Sequence, residues 1–76
     1  MSRHLPALSG ARLIKALKRA GFVALRQKGS HVALEKRAGS RCWRTIVPLH
    51  RELRPGTLSD ILNQAGLSKD DLSHLL

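Results

Sequence analysis

The 76-residue sequence has few aromatic residues, a single cysteine and no long apolar run. Phe22 and Trp43 are its only aromatic side chains, which argues against ligand recognition by extensive base stacking. Cys42 has no second cysteine to pair with, so we expect no internal disulfide and a buried or half-buried apolar position in a strand. No apolar stretch is long enough for a transmembrane helix, and residues 1–10 are too poor in apolar side chains for a secretory signal. We therefore expect a cytoplasmic protein.

The four histidines are scattered along the chain and do not show the spacing of a metal site. His4, His31, His50 and His74 form no zinc-ligand pattern, so we expect no metal ion and no other cofactor. His50 lies in a predicted loop, where it would help to position the connection to the second helix. His4 and His74 lie near the termini, and we assign them no specific role.

Acidic residues are scarce, and the positive charge is unevenly distributed. Fourteen Lys and Arg against five Asp and Glu give a net charge of +9. Residues 1–54 carry thirteen basic and two acidic side chains, whereas residues 55–76 carry one and three. This excess indicates a polyanionic partner, with nucleic acid first, an acidic protein second and a membrane surface third. The length fits one domain, residues 1–76, with a single modest core.

The hydrophobic pattern predicts an α+β fold with the order α-β-β-β-α. The first helix is predicted in SGARLIKALKRAGF, with Ser9 as N-cap and Gly21 at its end. Three β-prone runs, FVALRQ, HVALEK and CWRTIVP, are separated by Gly-containing breaks, which is typical of a three-stranded antiparallel sheet. A second helix is predicted to begin near Pro55 and to end at Gly66. We expect both helices to cover one face of the sheet and to leave the other face open to water.

Two pairs of residues in the C-terminal part have the spacing of a helix capping box. Thr57 and Asp60 lie near the start of the second predicted helix, and Ser68 and Asp71 would begin a terminal helical turn. We expect at least half of the basic side chains of the first helix to belong to a solvated face. They are Arg12, Lys15, Lys18 and Arg19.

The segment KGSH combines a turn signal with a histidine that the turn does not require. A two-residue loop of Gly29 and Ser30 suits a type II′ turn, because glycine adopts the positive φ of the first position at little cost. This register pairs Lys28 with His31, Arg26 with Ala33 and Ala24 with Glu35 on one face, and Gln27 with Val32, Leu25 with Leu34 and Val23 with Lys36 on the other. The second, mostly apolar set is predicted to face the core. The first set, together with Arg37, is predicted to lie on the open face.

The predicted pairing of Lys28 with His31 suggests a chemistry for the open face. Their Cβ atoms would be about 5 Å apart, and a neighbouring cation disfavours a second positive charge on the ring. If the polyanion is RNA, His31 could take the proton of a ribose 2′-OH while Lys28 and Arg26 stabilise charge on the phosphate. The simpler interpretation is that His31 is an ordinary polar strand residue, and spacing alone does not decide between the two. Ser30 could likewise donate a hydrogen bond to phosphate or serve only the turn.

Several segments together resemble the HicA toxins of bacterial type II toxin-antitoxin systems. They are LIKALKRAGFVALRQKGSHVAL, TIVPLH, ELRPGTL and ILNQAGL, which follow in this order between about Ser9 and Leu67. The resemblance implies a double-stranded-RNA-binding-domain-like fold, metal-independent endoribonuclease activity on mRNA and neutralisation by a HicB-type antitoxin, with a higher-order toxin-antitoxin complex as a further expectation. The catalytic histidine of the family falls on His31. The chain departs from many relatives at Val32, where they carry a second histidine or a polar residue.

These observations lead to one main hypothesis and two alternatives. The main hypothesis is an mRNA interferase in which His31 acts as general base or acid, Gly29 shapes the turn, and the RNA-binding residues are Lys28, Arg26, Ser30 and Arg37. The acid that protonates the leaving 5′-oxygen stays open between His31 itself, Lys28 and water. The alternatives are a non-catalytic RNA-binding module of the same fold and a protein whose basic surface docks an acidic partner.

Overall fold

The computed structural model describes residues 7–76, which form a three-stranded antiparallel sheet and three helices. The elements are α1 (Gly10–Arg19), β1 (Val23–Lys28), β2 (His31–Ala38), β3 (Arg41–Pro48), α2 (Pro55–Ala65) and α3 (Lys69–Leu75). The strands lie in the order β1-β2-β3. This arrangement confirms the predicted α+β, double-stranded-RNA-binding-domain-like fold, and the predicted terminal turn is the seven-residue helix α3.

Helix α1 has the boundaries that its sequence predicts. The Ser9 hydroxyl accepts a hydrogen bond from the backbone N–H of Arg12 at 3.1 Å, which caps the first turn. Gly21 follows the helix with a φ of 100°, a conformation that glycine adopts readily. The apolar stripe of Leu13, Ile14 and Leu17 is buried, and the four basic side chains predicted for the solvated face are exposed.

Of the two predicted capping boxes, one is present and the other is wrong. At α3 the Ser68 hydroxyl accepts from the Asp71 N–H at 3.0 Å, and the Asp71 carboxylate accepts from the Ser68 N–H at 2.8 Å. Thr57 and Asp60 form no such box, because α2 begins two residues before Thr57 and its N-cap is Arg54. Pro55 at the first helical position starts α2, since its fixed φ suits a helix and it has no N–H that needs a cap.

The helices cover one face of the sheet unevenly. Helix α2 packs mainly against β3, helix α1 packs against both β3 and α3, and the core beneath them includes the fully buried Leu34 and Val47. All six residues of the edge strand β1 are exposed. The prediction of one covered and one open face is therefore confirmed for β2 and β3, whereas β1 contributes no buried residue.

A β-bulge at Leu25 corrects the predicted register of the first hairpin. The three pairs nearest the turn are as predicted, but Ala24 pairs with Leu34 and Val23 pairs with Glu35. The pairs predicted for Ala24, Leu25 and Val23 are therefore wrong, because a bulge inserts one extra residue and shifts everything beyond it. Val23 and Leu25 are 62% and 55% exposed, so their predicted place in the core is wrong as well. An edge strand that no helix covers can accommodate such a bulge.

The start of α1 anchors the loop between β3 and α2. The Gly10 N–H donates to the His50 carbonyl at 2.9 Å, and the Leu53 N–H donates to the Leu8 carbonyl at 2.8 Å. Gly10 is buried, and a Cβ atom at this position would overlap the carbonyl oxygen of Pro48. The loop thus depends on a close backbone approach that only glycine permits, and His50 has the loop position that was predicted for it.

Candidate functional site

His31 is the first residue of β2 and lies on the open face of the sheet. It pairs with Lys28 of β1, as predicted, and with Pro48 of β3 on its other side. The side chain is exposed, as are those of Lys28 and Arg26. The hairpin therefore brings one imidazole and two cations together on a surface that a large ligand can reach.

The turn before His31 is the predicted two-residue loop. Gly29 has a φ of 59°, and Ser30, like every non-glycine residue in the described part of the chain, lacks a positive φ, as a type II′ turn requires. The turn is tied at two points: the Gln27 side chain donates to the Gly29 carbonyl at 3.0 Å, and the Leu49 N–H donates to the Ser30 carbonyl at 2.6 Å. These bonds hold the start of β2 in a defined position.

The second hairpin repeats the same turn without a histidine. It links Ala38 to Arg41 through Gly39 and Ser40, and Gly39 has a φ of 60°. The two hairpins thus share the Gly-Ser dipeptide and its geometry, but Arg41 occupies the place that His31 has in the first. The histidine is not needed to form such a turn.

A groove on the open face begins at His31. Its lining residues enclose about 700 Å³ and are Arg26, Gln27, Lys28, His31, Ala33 and Ile46. A neighbouring depression shares Arg26, Ala33 and Ile46, and its other lining residues are Leu25, Leu34, Arg44, Thr45 and, from α2, Gln64. Cationic side chains therefore flank an apolar floor that continues away from His31 along the sheet.

An acidic side chain lies at the far end of this face. The Glu35 carboxylate accepts from Arg37 Nε at 2.6 Å and from Arg44 Nε at 2.7 Å. The hydrogen bond from Arg37, and then that from Arg44, lowers the pKa of Glu35 below its ordinary value. The same bonds to Glu35 raise the pKa of both arginines. Glu35 is therefore an ionised centre that holds two guanidinium groups.

The structure brings together most, but not all, of the predicted site residues. Arg26, Lys28 and Ser30 lie around His31, with Ser30 in the turn itself. Arg37 is on the same face but six residues further along β2, about 20 Å at the usual rise of a strand. It belongs to the Glu35 cluster rather than to the immediate surroundings of His31.

Three features of this surface were not predicted from the sequence. The apolar floor contains Ile46, which is 57% exposed, and it follows from the alternation of outward and inward side chains along β3. Arg44 lies directly opposite Glu35, and pairing the second hairpin through its Gly39-Ser40 loop would have revealed this contact. The exposure of Leu25 follows from the bulge, for which the sequence carries no glycine signal.

Cys42 and His74 do not line the groove that begins at His31. Cys42 is exposed, so its predicted buried or half-buried position is wrong: it pairs with Arg37 on the open face, whereas its neighbour Trp43 turns toward the helices. The Nδ1 atom of His74 is 2.7 Å from the Asp70 carbonyl oxygen within α3. His4 lies outside the described residues.

Residues 7–76 contain neither a metal-binding cluster nor a helix that could span a membrane. No group of three or more His, Cys, Asp or Glu side chains in this range could hold a metal ion. None of the helices found there is long and apolar enough to cross a membrane.

Residues 10–67 match a family model described as the HicA toxin of bacterial toxin-antitoxin. A comparison with curated proteins finds no match. The matched range includes α1, the whole sheet and α2, and it contains His31 and every other residue of the groove.

Proposed function

Because this chain belongs to the HicA toxin family of bacterial toxin-antitoxin systems, we propose that it is an endoribonuclease that cleaves mRNA without a metal ion. The position of His31 is the observation that carries the proposal. Its ring is exposed at the end of a groove, next to Lys28 and Arg26, on a hairpin whose geometry does not require a histidine. A titratable ring among cations suits proton transfer at a phosphodiester.

The proposed reaction uses the 2′-hydroxyl of RNA as the nucleophile. His31 takes the 2′-OH proton, the 2′-oxygen attacks the adjacent phosphorus, and the bond from phosphorus to the 5′-oxygen breaks. The products are a 2′,3′-cyclic phosphate and a 5′-hydroxyl. The proton for the leaving 5′-oxygen comes from His31 itself, from Lys28 or from water.

The cations beside His31 are proposed to bind and stabilise the phosphate. Lys28 lies directly across the strand pair, and Arg26 lines the same groove, so both can oppose charge that develops on the phosphoryl oxygens. Ser30 is proposed to donate a hydrogen bond to phosphate from the turn. Arg37 is proposed to contact the RNA further along the open face, away from the cleaved bond.

The partner proposed for this toxin is a HicB-type antitoxin in the cytoplasm, where mRNA is present, with assembly into a higher-order complex. An acidic protein surface over the open face would engage Arg26, Lys28 and Arg37 and exclude RNA at the same time. Membership in a toxin-antitoxin family supports the existence of an antitoxin, and the exposed cations support this location for it.

The test is the variant His31→Ala, with His74→Ala as the matched control on α3. Cleavage of a defined transcript in EDTA should fall by about 10² to 10⁴ for His31→Ala. Both variants should retain stability within about 0.5 kcal/mol, because both side chains are exposed. His74→Ala should cleave at the parental rate, and RNA affinity should be nearly unchanged in both variants.

Three results would reject the proposed chemistry. If His31→Ala cleaves as fast as the parent, the histidine has no catalytic role. If the parent binds RNA but cleaves no transcript, the chain is a binding module of the same fold. Activity that appears only after addition of a divalent metal would instead require a metal-dependent mechanism.

A further inference from the structure

Glu35 organises two arginines at the end of the open face opposite to His31. Its side chain is only 11% exposed, although it lies on the face that no helix covers. Each carboxylate oxygen accepts from the Nε atom of one arginine, Oε1 from Arg37 and Oε2 from Arg44. The two arginine side chains are 71% and 68% exposed. A single carboxylate therefore holds two guanidinium groups that solvent and a ligand can reach.

The way in which the arginines bind Glu35 leaves donors for a second acceptor. Both contacts to the carboxylate use Nε, so the terminal Nη groups of Arg37 and Arg44 can serve another anion. Paired N–H groups of a guanidinium match the oxygens of a phosphate in a bidentate geometry. One negative and two positive charges leave the cluster with a net charge of +1. Because Glu35 already restricts the two arginine side chains, they lose less conformational entropy when they bind an anion.

The arginine cluster is aligned with His31 along the same strand. Glu35 is four residues beyond His31 in β2, which corresponds to about 13 Å of strand. Ala33 lies between them and pairs with Ile46, and these two residues form the apolar floor that the two parts of the groove share. A linear polyanion could therefore contact cations at both ends and an apolar surface between them.

We propose that Glu35, Arg37 and Arg44 form a second phosphate-binding subsite for single-stranded RNA that lies along the open face, with Glu35 as the positioning residue. The inference extends the proposed function to a further part of the substrate. Phosphates in one strand of a duplex are spaced by about 3.4 Å along the axis, and a stretched strand spaces them more widely. The phosphate bound here is thus at most about four nucleotides from the one beside His31.

RNA fits this surface better than an acidic protein does. The cations are grouped at two separated points in line with His31, and the floor between them is the single apolar pair of Ala33 and Ile46. A chain with regularly spaced phosphates and apolar base or ribose surfaces between them matches this order. An acidic partner that binds the arginines alone is the competing occupant, and the experiment distinguishes the two.

The first experiment measures affinity as a function of RNA length. The probes are fluorescent 2′-O-methyl oligonucleotides of two to eight residues, which lack the 2′-hydroxyl nucleophile and cannot be cleaved. Parental affinity should increase stepwise, by about threefold to tenfold, at the length that first reaches the second subsite. The double variant Arg37→Gln/Arg44→Gln should lose this step. Arg12→Gln/Lys18→Gln on α1 removes the same charge and should keep it.

The second experiment removes the negative charge of Glu35, a change that should tighten RNA binding if only net charge matters. Glu35→Gln and Glu52→Gln each raise the net charge by one, so a pure charge effect would tighten RNA binding equally in both. If Glu35 positions the arginines, Glu35→Gln should instead diminish the length-dependent step by about twofold to fivefold. On long substrates it should raise KM and leave kcat unchanged, and on a dinucleotide it should change neither.

The outcomes separate this proposal from the proposed function. A length-dependent step that the arginine double variant lacks supports the subsite even if no RNA is cleaved, in which case only the catalytic proposal fails. Absence of a step in the parent would overturn the subsite while cleavage stands. If the double variant weakens binding of the antitoxin but not of RNA, the cluster is a protein-docking point and the proposal is wrong. Equal tightening by Glu35→Gln and Glu52→Gln would refute the positioning role.

Discussion

Gly10→Ala should destabilise the protein, although the same change elsewhere in a helix usually stabilises it. Replacing a helical glycine by alanine commonly gains about 0.4 to 1 kcal/mol. At Gly10 the new methyl group would overlap the Pro48 carbonyl oxygen and approach the backbone of Leu49. Overpacking of this kind costs about 1 to 3 kcal/mol, so we expect a net loss within this range.

Gly56→Ala provides the matched control for this change. Gly56 lies in the first turn of α2, its φ is not positive, and a Cβ there would meet no atom within 4 Å. We expect this variant to gain about 0.4 to 1 kcal/mol. Thermal unfolding should then show a Tm that is about 5 to 20 °C lower for Gly10→Ala and a few degrees higher for Gly56→Ala.

The same substitution should also affect the candidate site. The Gly10 N–H holds the His50 carbonyl, and the neighbouring Leu49 N–H holds the Ser30 carbonyl in the turn before His31. Displacement of this loop should therefore lower the cleavage rate at temperatures where the variant is still folded. A Gly10→Ala protein as stable as Gly56→Ala would refute the argument, because it would mean that the backbone of α1 can move away from Pro48 at little cost.

Three further predictions concern charge. RNA affinity should fall with salt at a log-log slope of about −0.7 per neutralised phosphate, or roughly −2 for three contacts, and a flat salt titration would favour the protein-docking alternative. Charge reversal at Arg26 and Lys28 should weaken the antitoxin complex in a pull-down, and a structure with the antitoxin only on the helices would contradict this location. The folded-state pKa of Glu35 is lowered by Arg37 and Arg44, and that of Asp71 by the backbone N–H and hydroxyl of Ser68. The stability that these carboxylates add is present above their unfolded pKa and is lost as the pH falls through the folded pKa. The free energy of unfolding of Glu35→Gln/Asp71→Asn should therefore depend less on acid pH than that of the parent. If the two proteins lose stability in parallel as the pH falls, this linkage is excluded.

The fold was predictable wherever a local signal and the hydrophobic period agreed. Helix α1 begins after Ser9 and ends before Gly21, as expected, because an N-cap and a glycine with positive φ both depend only on residues within one turn of the chain. The capping box predicted at Thr57 is absent because α2 begins earlier, at Pro55. Where a sequence contains signals for two possible helix starts, it does not show which of them the packing selects. Burial in β1 could not be predicted from its apolar residues, since it depends on the position of the helices over other strands.

The candidate site was predictable near the turn and not beyond it. The pairing of Lys28 with His31 follows from a two-residue loop, which fixes the register over the next few residues. One extra residue at Leu25 then changes every later pair, and Glu35 faces Val23 instead of Ala24. The contact of Glu35 with Arg44 depends on β3, which the first hairpin does not specify.

The two Gly-Ser hairpins have the same turn but are followed by different residues. Both turns place a glycine near φ 60° and start the next strand immediately afterwards, so the backbone requirement is the same. After the second turn comes Arg41, whose guanidinium lies 4.8 Å from the ring centre of Trp43 and packs against it. After the first turn comes His31, which faces solvent beside Lys28. Exchange of the two residues should therefore preserve both turns, and under the proposed mechanism it should abolish cleavage, because the imidazole would then follow the second turn instead of the first.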